Sequence, residues 1–504
     1  MTTQNFSFPV FLTALLLSAS VTAAPRFDHY VLKGEGQFKE LISRDLDADG
    51  RADLLATHAA GSYPRYRRSL YLFFQRPDGS FAATADQVIA LDKDAALVDV
   101  GDVLPDPGLE ILLLGPEGVA ALTLAERRYS EPKPLVRRSS FAAAADPLAV
   151  PVYDFARDWD GDGQDEILVP GFKSFALFQT PEGPAQELRI GARPGILPTY
   201  RPGTAIEAKF TLWDVQPGDF DGDGKADIIA FQNDSILVFK QVEAGRFSGS
   251  ADPRIELNLW DERARQEREI RPLTQALAPD YYLLADDFNA DGKADFLTLT
   301  LTGGFIGLVS DTRLYFGGDP RLLQGKPSQS IVLKDAGAGP WLADLEGDGK
   351  KELLLTYAAM SVGNAAKAVL SGKADAVSEC YRLGPDGRFA EKAVWVYKSS
   401  VKMDLKTVTL EGTLPVFQGD FNGDGAVDVF QGVSREESAI VLSQSGRYDH
   451  PPAAIIPCPV SLQVVGNPRL QDLDGDKKAD LAVVFPRERI HGNEIHVFMN
   501  RGGW

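Results

Sequence analysis

A nine-residue acidic loop followed by an apolar run recurs seven times in this chain, and nothing else in the sequence restricts its possible folds as much. The first copy is Asp45-Leu-Asp47-Ala-Asp49-Gly50-Arg-Ala-Asp53, and the others begin at Asp158, Asp219, Asp287, Asp344, Asp420 and Asp472. Oxygen-bearing side chains at loop positions one, three, five and nine are what a hard cation asks for, since calcium takes about six to eight oxygens from a chain that turns around one centre. Glycine at position six (Gly50, Gly163, Gly224, Gly292, Gly349 and Gly425) permits the positive φ that such a turn needs. The last copy carries Lys477 there, which leaves that turn open to question.

The spacing sets the size of the repeat. The long gap between Asp45 and Asp158 holds a decayed copy, Asp102-Val-Leu-Pro-Asp106-Pro-Gly108-Leu-Glu110, followed by Ile111-Leu-Leu-Leu114. Eight copies between positions 45 and 472 give seven intervals averaging 61 residues. A period of that length points to a solenoid, propeller or array. Each unit reads as strands: Ala226–Phe231 is a short apolar run, Ser235–Lys240 is another, and Gln232-Asn-Asp234 is a turn between them. The chain is therefore expected to be all-β, a single β-propeller of four-stranded blades whose neighbours share their faces. The final unit has room for only three strands, Leu462–Gln471, Leu481–Phe485 and Glu494–Met499. The N-terminal Phe27–Leu32 has strand composition and no blade of its own. It is expected to supply the missing strand and close the ring. Eight units then mean eight blades, or seven if the decayed copy or the final unit is built differently.

The loops Asp219-Phe-Asp-Gly-Asp-Gly-Lys-Ala-Asp227 and Asp420-Phe-Asn-Gly-Asp-Gly-Ala-Val-Asp428 resemble FG-GAP/VCBS repeats, which form the calcium-binding blades of integrin α-subunit propellers and of many bacterial secreted proteins. The resemblance covers nearly the whole of residues 25–504. The Phe-Gly…Gly-Ala-Pro signature is not evident, so the VCBS side of the family is the nearer one. The resemblance implies an acidic hairpin between the first two strands of each blade, with structural Ca2+ on the face opposite the usual ligand surface. The implied ligands are Asp45, Asp47, Asp49 and Asp53; Asp158, Asp160, Asp162 and Glu166; Asp219, Asp221, Asp223 and Asp227; and Asp287, Asn289, Asp291 and Asp295. They continue with Asp344, Glu346, Asp348 and Glu352; Asp420, Asn422, Asp424 and Asp428; and Asp472, Asp474, Asp476 and Asp480. The decayed copy lacks the third-position carboxylate and is expected to bind nothing.

Charge agrees with filled loops. The seven intact copies place 26 of the chain's 71 acidic residues at ligand positions, and seven divalent ions would nearly offset the formal net charge of −19. Such acidity, without a basic stripe, argues against a nucleic-acid partner. Residues 1–24 contain no charged side chain, an apolar stretch from Val10 to Leu17, and the small-residue end Val21-Thr-Ala23-Ala24. That is a signal-peptide pattern, implying a periplasmic or extracellular protein. No later stretch is long and apolar enough for a transmembrane helix. Cys380 and Cys458, the only cysteines, form either a disulfide or two buried thiols.

Partner surfaces are sought where the repeat is interrupted. The interval from Asp344 to Asp420, 76 residues against 52 for the shortest, contains the Ala-rich segment Ser361–Glu379, expected to include a short helix. A charged insert, Leu259–Ala278, precedes Asp287, and Tyr63-Pro-Arg65-Tyr66-Arg67-Arg68 is a basic aromatic hairpin suited to an anionic or sugar-like ligand. Catalytic signatures are scarce: His491 and His496 are the closest histidine pair but do not form HExxH, and His496 reads as a strand residue. The favoured function is an exported, non-enzymatic binding or scaffold module for a protein or glycan. The alternative is a lyase-like, polysaccharide-active enzyme on a calcium-bearing propeller.

Overall fold

The structure, a computed structural model, describes residues 26–504 except 63–64, 143–147, 193, 198–206, 211, 233, 260–280, 303–307, 335, 349, 360–361, 405–408, 412–413, 435, 458–466 and 487–489. Among the described residues, eight antiparallel sheets of four or five strands follow one another along the chain, and three two-stranded ribbons, at 124–129, 194–210 and 241–247, lie outside them. Blade one is Gln37–Arg44, Asp53–Ser62, Arg65–Phe73 and Gln87–Ala90, each strand paired with the next. Blade two starts at Leu97, blade three at Ala156, blade four at Asp214, blade five at Tyr281, blade six at Ala336, blade seven at Val416 and blade eight at Asn467. Blade six carries a fifth strand, Thr409–Glu411, on its outer edge. The ring is an eight-bladed β-propeller.

The second strand of each blade explains why the apolar runs show no polar alternation. Side chains alternate between the two faces of a strand, and here both faces are covered. Ile111 and Leu113 pack toward blade one, while Leu112 and Leu114 pack toward blade three. Ile228 and Ala230 meet blade three, whereas Ile229 and Phe231 meet blade five. The result is one apolar core between every pair of neighbours, eight in all among the described residues, rather than a single central one. Each buried Leu or Ile contributes about 1.5–3 kcal/mol, and only half of that set belongs to any one blade.

Ring closure follows the expected route. Phe27–Lys33 runs antiparallel to Glu494–Asn500, with Phe27 opposite Asn500 and Lys33 opposite Glu494, as the outer strand of blade eight. Leu32, Ile495, Val497 and Met499 then pack on Phe38, Leu54, Ala56 and Phe73 of blade one. The last unit's other two strands are Asn467–Gln471 and Asp480–Val484; the expected start at Leu462 falls outside the described residues.

The interruptions are partly visible. Within Ser361–Glu379, Val362–Ser371 is the expected helix, but Lys373–Tyr381 is the third strand of blade six. Its Val377, Glu379 and Tyr381 pair across to Tyr357, Leu355 and Leu353. The insert Leu259–Ala278 lies almost wholly outside the described residues. Cys380 is buried between blades six and seven, and Cys458 lies outside the described residues. Among the described residues no helix is long and apolar enough to cross a membrane.

Candidate metal centres

Every acidic loop joins the first strand of a blade to the second, so all eight lie on one face of the ring. Because the second strand runs across the ring, the hairpins to the third strand and the connectors between blades lie on the other face.

Position nine opens the second strand in seven copies and immediately precedes it in blade seven (Val429–Gly432), and its carboxylate is buried in all eight: Asp53, Glu110, Glu166, Asp227, Asp295, Glu352, Asp428 and Asp480. Each accepts the backbone N–H of loop position two, at 2.7 Å (Phe421 to Asp428) to 3.1 Å (Leu46 to Asp53). Where the residue is Asp, its second oxygen takes the N–H just beyond the third strand or at its end: Gln75 at 2.8 Å, Gln241 at 2.8 Å, Gly317 at 2.6 Å, Ser443 at 2.7 Å and Asn500 at 2.6 Å. The carboxylate thus ties three strands together, and its burial is compensated by hydrogen bonds. Burial still pushes Asp53, Glu110, Asp295, Asp428 and Asp480 up to about 7 and Glu166 up to about 8.

Position one folds the tip. Asp158 accepts the N–H groups of Gly161 and Asp162 on Oδ1 and of Gly163 on Oδ2, at 2.7, 3.1 and 3.0 Å. The same pattern recurs at Asp219, Asp420 and Asp472. Position four is left-handed as well as position six, for example Gly161 at φ +82° and Gly163 at +95°. A Cβ at Gly50, Gly163, Gly224, Gly292 or Gly425 would meet nothing within 4 Å, so conformation, not space, selects glycine there. Lys477 forms the same turn at φ +68° and Ala48 sits at +59°, so both side chains bear the left-handed cost of about 1–2 kcal/mol.

Positions three and five distinguish the loops. In blade three, ligand atoms of Asp158, Asp160, Asp162 and Glu166 all lie within 4.8 Å of one another. Three groups converge likewise in blades one (Asp45, Asp47, Asp53), four (Asp219, Asp221, Asp227) and eight (Asp472, Asp474, Asp480). In those three the position-five carboxylate turns to a cation two residues on: Asp49 to Arg51, Asp223 to Lys225 at 2.6 Å and Asp476 to Lys478 at 2.7 Å. Blade three has Gln164 at that place. Other cations reach position three from beyond the third strand of the blade or from the next blade: Arg127 to Asp47 at 2.9 Å, Lys240 to Asp221 at 3.0 Å, Arg501 to Asp474 at 2.8 Å, and Arg382 to Glu346.

The amide loops differ again. Asn289 and Asn422 each accept the N–H of position five on Oδ1, at 3.1 Å, and donate to its carboxylate, Asp291 at 3.3 Å and Asp424 at 2.9 Å. In blade six Asp344 holds the N–H groups of Gly347 and Asp348, while Glu346 leans out to Arg382. In the decayed copy Glu110 accepts from both Val103 and Leu104, at 3.0 and 3.1 Å, and Leu104 brings no oxygen to the tip.

Two oxygens among the described residues report directly on fit to a cation. Asp47 Oδ1 and Asp474 Oδ1 are buried without a hydrogen-bond donor, although their partner oxygens meet Arg127 and Arg501. A donor-less buried carboxylate oxygen is costly, and both belong to converging clusters. Sequence reasoning named these loop carboxylates but missed the strand-tying role of position nine and the cations that face positions three and five. The first had a signal, since position nine is acidic even in the decayed copy. The local cations Arg51, Lys225 and Lys478, at position seven of their loops, had one too, whereas the distant ones, up to 80 residues away (Arg127 to Asp47), had none.

On the other face, Glu35, His58, Tyr66, Arg67 and Lys93 line a cleft of about 590 Å³ at blade one. Of the basic hairpin, Tyr63 and Pro64 lie outside the described residues. Arg68 also lines the cleft but is largely buried, its guanidinium donating to the carbonyls of Asp92 and Ala95.

No family model matches the chain, and no curated protein matches it in sequence. Solved structures that do resemble it include a lectin from Agrocybe aegerita, described as recognising non-reducing terminal N-acetylglucosamine (13% identity, 95% of this chain and 96% of that one, TM-score 0.40). Another is Sqt1 from Chaetomium thermophilum (12% identity, 94% and 98%, TM-score 0.42). A third is an exotype rhamnogalacturonan lyase (14% identity, 90% of this chain and 64% of that one, TM-score 0.30). Likeness at this level carries no functional argument, and the propeller assignment rests on the strand order described above.

Proposed function

We propose that this chain is an exported, non-enzymatic binding or scaffold propeller of the FG-GAP/VCBS type, with calcium in the acidic loops of one face and a protein or glycan partner on the other. The observation that carries the metal reading is the pair of buried, donor-less oxygens, Asp47 Oδ1 and Asp474 Oδ1, inside clusters of converging carboxylates. An all-oxygen, multiply anionic donor set suits calcium rather than a softer metal. Asp158, Asp160, Asp162 and Glu166 form the best-assembled set. The other ligand sets are those headed by Asp45, Asp219, Asp287, Asp344, Asp420 and Asp472. Bound calcium supplies charge neutralisation and cross-linking of a loop tip to its blade. The chain's own contribution is a prepared tip, with position one folding the backbone, position nine tying it down, and positions three and five remaining to be neutralised. At blades one, four and eight, Arg51, Arg127, Lys225, Lys240, Lys478 and Arg501 neutralise those carboxylates in the absence of metal and would be released by it.

The partner surface is read onto the opposite face, where the helix Val362–Ser371 and the cleft around Tyr66, Arg67 and Lys93 lie. Residues 1–24 are read as a leader removed on export, where millimolar calcium fills modular sites of modest affinity. The test is a calcium titration of chelated protein followed by thermal melting and equilibrium dialysis, with magnesium as control. Calcium-specific stabilisation with several ions bound per chain is expected. A melting curve indifferent to calcium would remove the metal from the proposal. Incubation of the calcium-loaded protein with acidic polysaccharides tests the non-enzymatic part: retention without the ultraviolet absorbance of unsaturated products is expected, and turnover would overturn it.

A further inference from the structure

The seam where the ring closes carries a second kind of donor cluster. His491 lies in the hairpin between the second and third strands of blade eight, and Glu494 and His496 lie on the third strand, where i and i+2 share a face. Glu494 Oε2 is 2.8 Å from His491 Nδ1 and 3.2 Å from His496 Nε2, and the ligand atoms of all three lie within 4.8 Å of one another. The other ring nitrogen of His496, Nδ1, is 3.0 Å from Nε2 of His29 on the N-terminal strand. Glu494 Oε1 faces Lys33 of that strand at 3.3 Å. In Glu494 and His496 the atom not aimed at the cluster centre is therefore held by an outer partner.

We infer that His491, Glu494 and His496 form a transition-metal site for zinc, with His29 and Lys33 as its outer supports, on the face opposite the acidic loops. Two imidazole nitrogens and one carboxylate oxygen are a zinc donor set, and calcium, which takes oxygen, has little use for it. Bond lengths of about 2.0–2.2 Å put tetrahedral ligands about 3.4 Å apart. The two Glu494 contacts are already near that length, so small side-chain rotations admit an ion. With Nε2 of His496 on the metal, its Nδ1–H donates to Nε2 of His29, which matches how ligating histidines are oriented, through the nitrogen that does not bind metal. His496 is 2% exposed and His491 34%, so the cluster opens toward solvent on the His491 side, leaving the fourth position to water. His29 and His496 are 467 residues apart in sequence, so the complete arrangement exists only in the closed ring.

The experiment uses the full chain saturated with calcium, so that the acidic loops are filled before zinc is added. Zinc is titrated against a chromophoric chelator, and cobalt(II) replaces it for visible absorption. The expected result is one zinc per chain and the intense cobalt band of a four-coordinate site. Both should be lost in His491→Ala, a partly exposed position, and in the isosteric Glu494→Gln, each with an unchanged calcium-loaded melt. Equal zinc binding by the parent and both variants would place the ion elsewhere and overturn the inference. So would a weak, six-coordinate cobalt spectrum or no retained zinc. If His491→Ala folds poorly, Glu494→Gln alone decides, because it keeps the shape of the side chain.

Discussion

The acidic hairpins of blades one and two have the same frame and different tips. In both, position nine is buried and holds the N–H of position two, Asp53 with Leu46 at 3.1 Å and Glu110 with Val103 at 3.0 Å. In blade one, Asp45, Asp47 and Asp53 converge and Asp47 keeps a donor-less oxygen; in blade two, Leu104 stands where Asp47 would. Blade two nevertheless forms all four strands and packs on both neighbours. What a hairpin needs to fold and what it needs to hold an ion are therefore separable: position nine serves the first, position one shapes the tip of an intact loop, and positions three and five serve the second.

The hardest test of that separation is wholesale. Chelating calcium from the loaded protein is expected to lower its melting temperature steeply, since each site filled at a hundredfold excess over its dissociation constant contributes about 2.7 kcal/mol. Calorimetry with and without chelator measures it, and an unchanged transition would leave blades one and two alike. Next, Asp53→Ala and Glu110→Ala each strand two backbone N–H groups, so each should cost about 2–5 kcal/mol by urea unfolding in chelator. If only Asp53→Ala does harm, position nine matters through the metal and the comparison fails.

Asp160→Ala in blade three, which leaves no oxygen at position three, should remove one calcium per chain by equilibrium dialysis and leave the chelated protein's melt unchanged or higher, since the N–H of Asp162 keeps Asp158. A lower chelated melt would give position three a folding role. A pH series refines the picture. Burial raises the position-nine carboxylates, to about 7 for Asp53, Asp295, Asp428 and Asp480, from about 4 in the unfolded chain. Between those values the folded state binds more protons than the unfolded state, so metal-free stability falls as pH rises through that window. The chelated protein should melt lower at pH 8 than at pH 6, and calcium should stabilise more at pH 8. The smallest effect is expected from Lys477→Gly, which relieves a left-handed lysine and should gain about 1 kcal/mol.

Much of this architecture was legible because its determinants are local. A nine-residue loop and a doubly buried strand such as Ile228–Phe231 lie within one stretch of chain, and Phe27–Leu32 could be assigned to blade eight simply because blade eight was one strand short. The blade count followed from the period, with Glu110 and Ile111–Leu114 marking the decayed copy. What escaped is what the ring assembles from distant segments. Arg127 reaching Asp47 and Arg501 reaching Asp474 depend on which loop tip each side chain lies beside, and no periodicity encodes that. His496 reads as an ordinary strand residue until His29 is laid against it. Position nine looked like one more ligand because its second task, accepting N–H groups from its own loop and, where it is Asp, from the end of the third strand, appears only once the strands are paired.

The pairing of Phe27–Lys33 with Glu494–Asn500 also fixes an order of events. During synthesis the first strand emerges with nothing to pair with and must wait for the last hairpin, several hundred residues later. Until then the growing array has two raw ends, one at blade one and one at the newest blade, each showing unpaired backbone and half of an apolar core. Contacts of such long sequence separation form slowly, so the nascent protein spends its most vulnerable interval as an open arc. A chain cut short anywhere before Glu494 would remain in that condition, and the closing pair therefore acts as a check that all eight blades have been made.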